Sequence, residues 1–165
     1  MKLTSLPLFL CVAAASIFAQ APPEVRLTVE SVTPRAVEPR TEQSVVRDYT
    51  AAWKSLADAS ESNAPALLDA YFTGPAKTNF GREVTDQQKI GTHIRYLNQV
   101  HSLKAVFYAP EGDVMQLQDS AEYQMQIVSG DKIIHDEHVV VQYVVLMTPG
   151  ADRWMVRQIQ AVPAQ

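Results

Sequence analysis

The chain has 165 residues, of which 47% are hydrophobic and 19% are charged, so it is long enough for one folded domain and too short for two comfortable ones. Its formal net charge of -4 argues against a nucleic-acid partner, because nucleic-acid binders normally carry a basic excess on one face. A single cysteine excludes a disulfide framework and any cysteine-based metal site.

The N-terminus has the layout of a secretory signal peptide. Lys2 supplies a positive charge, and residues 6–18 form an uncharged apolar run of 13 residues. A helix needs about 20 residues to cross a bilayer, so this run is too short. Small residues follow, which predicts cleavage after Ala19. We therefore expect a signal peptide at residues 1–19, a periplasmic or secreted protein, and no membrane span after cleavage. The alternative is a buried N-terminal helix.

Residues 20–40 contain four prolines and scattered charge, a composition that predicts a linker or a loosely ordered arm. Val25, Leu27 and Val29 alternate with polar residues, which is compatible with a short edge strand. The pattern changes at Thr41, so we place a single domain at residues 41–162.

Three helices are predicted to open this domain. The first runs from Thr41 to about residue 59, a second begins at Pro65 and ends at Gly74, and a third covers residues 75–91. Apolar residues recur at helical spacing along the first helix: Val45, Tyr49, Trp53 and Leu56.

After Gly91 the period becomes two, which predicts strands at residues 102–108, 115–127, 132–148 and 153–162. Helices followed by a meander of strands predict an α+β fold, with N-terminal helices packed on a curved antiparallel sheet. Residues 139–146 are apolar on both faces of their strand. The helices can cover only one face, so we expect a homodimer through the sheet to cover the other.

The sequence resembles the nuclear transport factor 2-like superfamily, which includes SnoaL-like and ketosteroid isomerase-like domains. The resemblance lies in the opening helix with Tyr49 and Trp53, the break at residues 70–76 and the final strand from Arg153 to Val156. Residues 91–97 and 116–123 also look like its IMS-like branch, which is found in organelle division proteins and envelope-associated proteins. The resemblance implies a cone-shaped, cystatin-like roll with a pocket between helices and sheet. Members include enzymes, small-molecule binders and interaction modules, so the fold does not settle function.

Catalytic members of this superfamily transfer protons inside the cone, and Asp119 is the candidate base here. It lies in phase with Leu117, Ala121 and Tyr123, so its side chain is expected to face the helices. Tyr123 or Tyr96 would be the electrophilic partner. The alternative is that Asp119 has a structural role.

Aromatic residues supply the candidate ligand-binding set, for which the alternative is ordinary core packing. His93 and His101 flank Tyr96 in the sequence. They could form hydrogen bonds to a ligand, or they could lie on the surface or in the core. The ligand-binding candidates are Tyr49, Trp53, Tyr71, Tyr96 and Tyr123.

The run His135-Asp136-Glu137-His138 looks like a metal-ligand cluster, but its side chains alternate between two faces of a strand. At most two ligands share a side, whereas zinc needs three or four. We therefore expect a solvated strand end, no metal and no cofactor.

Together these features predict an exported, non-catalytic small-ligand-binding or protein-interaction module of the cell envelope. Its partner would be an apolar small molecule or an envelope protein. The alternative function is a SnoaL-like or isomerase-like enzyme that carries out proton transfer.

Overall fold

The computed structural model describes residues 21–163, so the predicted signal peptide lies outside the described residues. The chain is an α+β protein, as predicted from the order of its elements. In chain order the elements are β1 Glu24–Thr28, β2 Thr33–Pro34, α1 Pro39–Ser62, a 3-10 helix Pro65–Ala70, α2 Gly74–Lys89, β3 Thr92–Tyr108, β4 Met115–Ser129, β5 Lys132–Pro149 and β6 Trp154–Val162.

The sheet has the order β1-β3-β4-β5-β6, and β2 pairs with the same strand as β1. Strands β3 to β6 form the predicted antiparallel meander. The expectation of a wholly antiparallel sheet is wrong at one edge, because β1 and β2 run parallel to β3. The helices lie between these strands in the chain and supply the long crossover that a parallel pair requires. Alternating apolar residues predict β1 but carry no information on its direction.

Helix α1 begins at Pro39, in the first turn, and its C-cap Asn63 has a left-handed φ of 53°. Its buried stripe includes the predicted residues Val45, Tyr49, Trp53 and Leu56. The second predicted helix is a short 3-10 helix and the third is α2. Both α-helices pack against β3 and β6, which places their apolar stripes on one face of the sheet.

Strand β3 is ten residues longer at its start than the sequence indicates, beginning at Thr92 instead of residue 102. Its pairing with β4 shifts register between Leu97 and Val100. Asn98 in this interval has a positive φ of 52°. A bulge changes which face each following residue occupies, so alternation is lost across the whole strand although each half retains it.

The first half of strand β5 is exposed. On the outer face Val140 is 74% exposed, and Ile133 and Ile134 near the start of the strand are also exposed. Strand β6 pairs only with residues 142–149 and is followed by Pro163, which has no amide hydrogen to donate. Within the described residues, no strand pairs with residues 132–141 on that side. We call this stretch the free β5 edge. No helix of the described part is long and apolar enough to cross a membrane.

Candidate functional site

Asp119 lies at the interface between helices and sheet, where alternation along β4 directs it. It is 1% exposed, and its Oδ2 atom accepts a hydrogen bond of 2.7 Å from the hydroxyl of Tyr49. The same oxygen lies 2.8 Å from Nδ1 of His101, which is 0% exposed. Helix α1, β3 and β4 thus each contribute one residue to a polar triad, Tyr49, His101 and Asp119.

The triad is incompletely satisfied. In the described part of the chain, His101 Nε2 and Asp119 Oδ1 are buried without a hydrogen-bond partner. The other buried acid, Asp48, differs: it accepts bonds from Arg47 and, at 2.7 Å, from the backbone N–H of Trp154. Burial raises the pKa of the Tyr49 phenol, and the neighbouring Asp119 carboxylate raises it further. Tyr49 therefore stays a neutral donor.

Trp53 connects the triad to a set of aromatic side chains. Its ring centroid lies 4.3 Å from that of His101 in a tilted arrangement. The same ring centroid lies 5.9 Å from that of Tyr123, 6.0 Å from that of Tyr143 and 6.4 Å from that of Tyr96. We call Trp53, Tyr96, Tyr123 and Tyr143 the aromatic layer. These separations are those of packed aromatic pairs, so the layer is a filled part of the core.

Two phenols of the layer bond to each other, with 2.9 Å between the hydroxyl oxygens of Tyr123 and Tyr143. Desolvation raises the pKa of both groups, most strongly that of Tyr143, so both remain protonated at neutral pH. Two hydroxyls share one hydrogen bond, which leaves one O–H donor and further lone pairs available to a ligand. Tyr143 is only partly buried, so this capacity lies near the edge of the core.

Next to the phenols, the helix-facing side of β4 and β5 continues as partly buried apolar residues that pack against the core: Met125, Val139 and Val141. Val139 is opposite Tyr123 in the strand register. We call these three residues the apolar floor. Because they retain exposure while facing the same side as the aromatic layer, they offer apolar surface that a ligand could cover.

The sequence pattern predicts neither Tyr143 as a residue of this site nor Asp119 as the partner of His101. Tyr143 lies within the apolar run and is opposite Asp119 in the register. Its odd position matches Val139 and Val141, so these three side chains share one face, and their pairing with β4 shows that this is the helix-facing side. The link between His101 and Asp119 depends on the bulge in β3, which sequence alone does not reveal.

The structure does not bring Tyr71 and His93 into this site. The guanidinium of Arg153 lies 5.2 Å from the centroid of the Tyr71 ring. Tyr71 also accepts a backbone hydrogen bond from Val156 next to the sheet. His93 lies 3.7 Å from a carboxylate oxygen of Glu61 at the end of α1.

The histidine and acid run near the start of β5 divides between two faces. His135 Nε2 lies 3.1 Å from Glu137 Oε2, whereas His138 Nε2 lies 3.2 Å from Glu122 on the neighbouring strand. Asp136 accepts a bond of 3.0 Å from Gln126. Among residues 21–163, no group of three or more histidine, cysteine or acidic side chains could hold a metal ion.

Comparison with known structures supports the fold. The chain is similar to the intermembrane space region of the chloroplast protein ARC6, with a TM-score of 0.63 and 11% identity, over 79% of this chain and 100% of that chain. It also matches a designed β-sheet protein solved by NMR at a TM-score of 0.39 and 11% identity, over 73% of this chain and 88% of that chain. No protein-family model and no curated protein sequence matches.

Proposed function

We propose that the protein is an exported, non-catalytic binding module of the cell envelope, and that it holds an apolar small molecule on the apolar floor beside the aromatic layer. The observation that carries this proposal is the position of Met125, Val139 and Val141. These side chains remain partly exposed on the helix-facing side of the sheet, next to a phenol pair with spare hydrogen-bonding capacity.

Such a site suits a ligand that is largely apolar with one polar group. The apolar floor would bury the hydrocarbon part, at about 25 cal/mol per Å² of apolar surface. The polar group would bond to the hydroxyls of Tyr123 and Tyr143, which fixes orientation. Both phenols stay protonated at physiological pH, so they offer neutral hydrogen-bonding groups to the polar group of the ligand.

Export is supported by the signal-peptide pattern at residues 1–19, and an envelope location agrees with the similarity of fold to the intermembrane space region of a chloroplast protein. We also propose nuclear transport factor 2-like membership and a homodimer through the sheet. Exposed Val140 on the outer face supports the dimer. An envelope protein in place of the small molecule is the other occupant of the floor that the experiment below distinguishes.

One observation favours a second candidate, an isomerase-like enzyme. Asp119 orients His101 so that Nε2 is left without a partner, which is the arrangement of a general base. It ranks second because the carboxylate is 1% exposed and the imidazole 0% exposed, so a substrate would need the core to open. Turnover of an enolisable ketone that is lost in Asp119→Asn, with binding retained, would establish this alternative.

The binding proposal is tested by titration with N-phenylnaphthylamine, a neutral apolar dye whose fluorescence rises in apolar surroundings. Met125→Lys places a charge on the floor and is expected to weaken binding at least about tenfold, equivalent to 1.4 kcal/mol. Gln118→Lys adds the same charge to the opposite face of β4 and should leave binding unchanged. Equal binding by all three proteins would overturn the proposal. Displacement of the dye by a protein extract but not by its lipid-soluble fraction would favour a protein occupant.

A further inference from the structure

Within residues 21–163, no strand uses the outward-pointing backbone N–H and C=O groups of the free β5 edge, and several apolar side chains along this edge are exposed. Ile133 is 50% exposed, Ile134 59% and Val140 74%. An exposed strand edge of this kind is a template for pairing with another strand. The edge ends where β6 begins to pair, at Gln142 opposite Val162. Any added strand therefore has a defined space to fill.

We propose that the free β5 edge pairs antiparallel with the same edge of a second copy, about a two-fold axis at Glu137, so that two sheets become one continuous sheet. This inference rests on the proposed homodimer and specifies its geometry. It places the contact at the sheet edge, whereas the sequence pattern indicates only a contact through the sheet.

The order of side chains along the edge is self-complementary about this axis. Ile134 lies opposite Val140 of the partner subunit, so apolar residues meet at both ends of the new pairing. A bulge leaves Ile134 without a partner on β4 and sets Ile133 opposite Val128, so the symmetric register ends at Ile134. Asp136 lies opposite His138 of the partner subunit, on the face where both side chains already contact β4. Each of these pairs occurs twice by symmetry, and directly opposite pairs of this kind stabilise a sheet.

Neighbouring registers lose this complementarity. An axis at Asp136 sets Ile134 opposite His138, and an axis at His138 sets Asp136 opposite Val140, so each of these registers places an apolar side chain opposite a polar one. With the axis at Glu137, the two glutamates meet on the axis, but each already pairs with its own His135 at 3.1 Å. The last new pair joins residues 134 and 140, and β6 begins to pair at Gln142. The register therefore occupies residues 134–140 of the free β5 edge without displacing β6.

A cysteine at the axis tests the register directly. The only cysteine in the sequence is Cys11, which precedes the predicted cleavage site. Opposite residues of an antiparallel pair have Cα atoms about 4.5–5.5 Å apart, within the range of a disulfide. Under mild oxidation, mature Glu137→Cys is expected to form a covalent dimer. Val139→Cys is the matched control: its two copies would lie four residues apart, about 13 Å, and should not cross-link.

Light scattering during size-exclusion chromatography measures the oligomeric state, which separates the edge pairing from the proposal of a homodimer alone. The wild-type protein and Ile90→Lys, a change at the 75% exposed C-cap of α2, should be dimers. The Val140→Lys dimer should dissociate at least about tenfold more readily. A wild-type dimer in which Glu137→Cys fails to cross-link, or cross-links no better than Val139→Cys, would overturn the edge pairing and keep the homodimer. A wild-type monomer would overturn both.

Discussion

Replacing Asp119 by alanine tests whether the polar triad supports the fold. The substitution removes the acceptor of the Tyr49 hydroxyl at 2.7 Å and the partner of His101 Nδ1 at 2.8 Å. Both groups are completely buried, so neither can turn to solvent. A buried polar group left without a partner costs about 1–3 kcal/mol. Two such groups, with the loss of the packed carboxylate, should lower the free energy of unfolding by about 3–5 kcal/mol.

The assay is urea unfolding followed by circular dichroism, with wild-type protein and matched variants. A loss of this size is a large share of the about 5–15 kcal/mol that stabilises a domain, so the midpoint should fall clearly. Glu122→Ala is the control on the same strand, because its exposed carboxylate pairs only with exposed His138 and should contribute less than about 1 kcal/mol. Tyr49→Phe removes one donor and should cost about 1–2 kcal/mol.

A loss below about 1 kcal/mol in Asp119→Ala, with unchanged dependence on urea, would refute this reasoning. It would mean that the hydrogen bonds only offset the desolvation of the carboxylate. An increase in stability combined with lost turnover would instead match a strained catalytic group, the alternative function.

Two further predictions concern the aromatic layer and the end of α1. Burial raises the pKa of Tyr96 and Tyr143, so the folded state holds these protons more tightly than the unfolded chain, whose phenols titrate near pH 10. Their contribution to stability is therefore intact below about pH 10 and decreases above it, by at most about 1.4 kcal/mol per pH unit for each phenol. Above about pH 10 the free energy of unfolding should fall less steeply with pH in Tyr143→Phe than in the wild-type protein, and an identical slope would contradict this. Asn63→Ala should lower the free energy of unfolding by about 2–4 kcal/mol, because it strains the left-handed cap and removes hydrogen bonds to Thr92 and Gln87. Asn63→Gly should avoid the backbone strain but lose the same hydrogen bonds. Equal losses in thermal or urea unfolding would show that the cap conformation is unimportant.

The sequence predicts those elements whose pattern is local and uninterrupted. The stripe of Val45, Tyr49 and Trp53 predicts α1, because a surface helix must bury one face. Alternation through β4 indicates that Asp119 faces the helices, which is where the structure places it. Both inferences depend only on the regular geometry of one element.

What the sequence does not predict depends on irregular or long-range geometry. The first half of β3 is hidden because the bulge between Leu97 and Val100 reverses the alternation. The bond between His101 and Asp119 depends on the same shift of register. Tyr143 is hidden in a run that is apolar on both faces, where parity alone cannot separate inner from outer residues.

The site thus has two parts with different accessibility. The polar triad is completely buried, with the ring of Trp53 packed on His101, whereas the three residues of the apolar floor are only partly buried. This difference in exposure is the reason for proposing binding ahead of catalysis, because Met125 is partly exposed whereas His101 is 0% exposed.

Native mass spectrometry of the mature protein, purified gently from the cells that produce it, tests the central proposal most directly. The account predicts a small apolar molecule bound to the wild-type protein and to Gln118→Lys, released on denaturation, and absent from Met125→Lys. Spectra showing only the bare polypeptide for the wild-type protein, or the same bound mass in Met125→Lys, would contradict it.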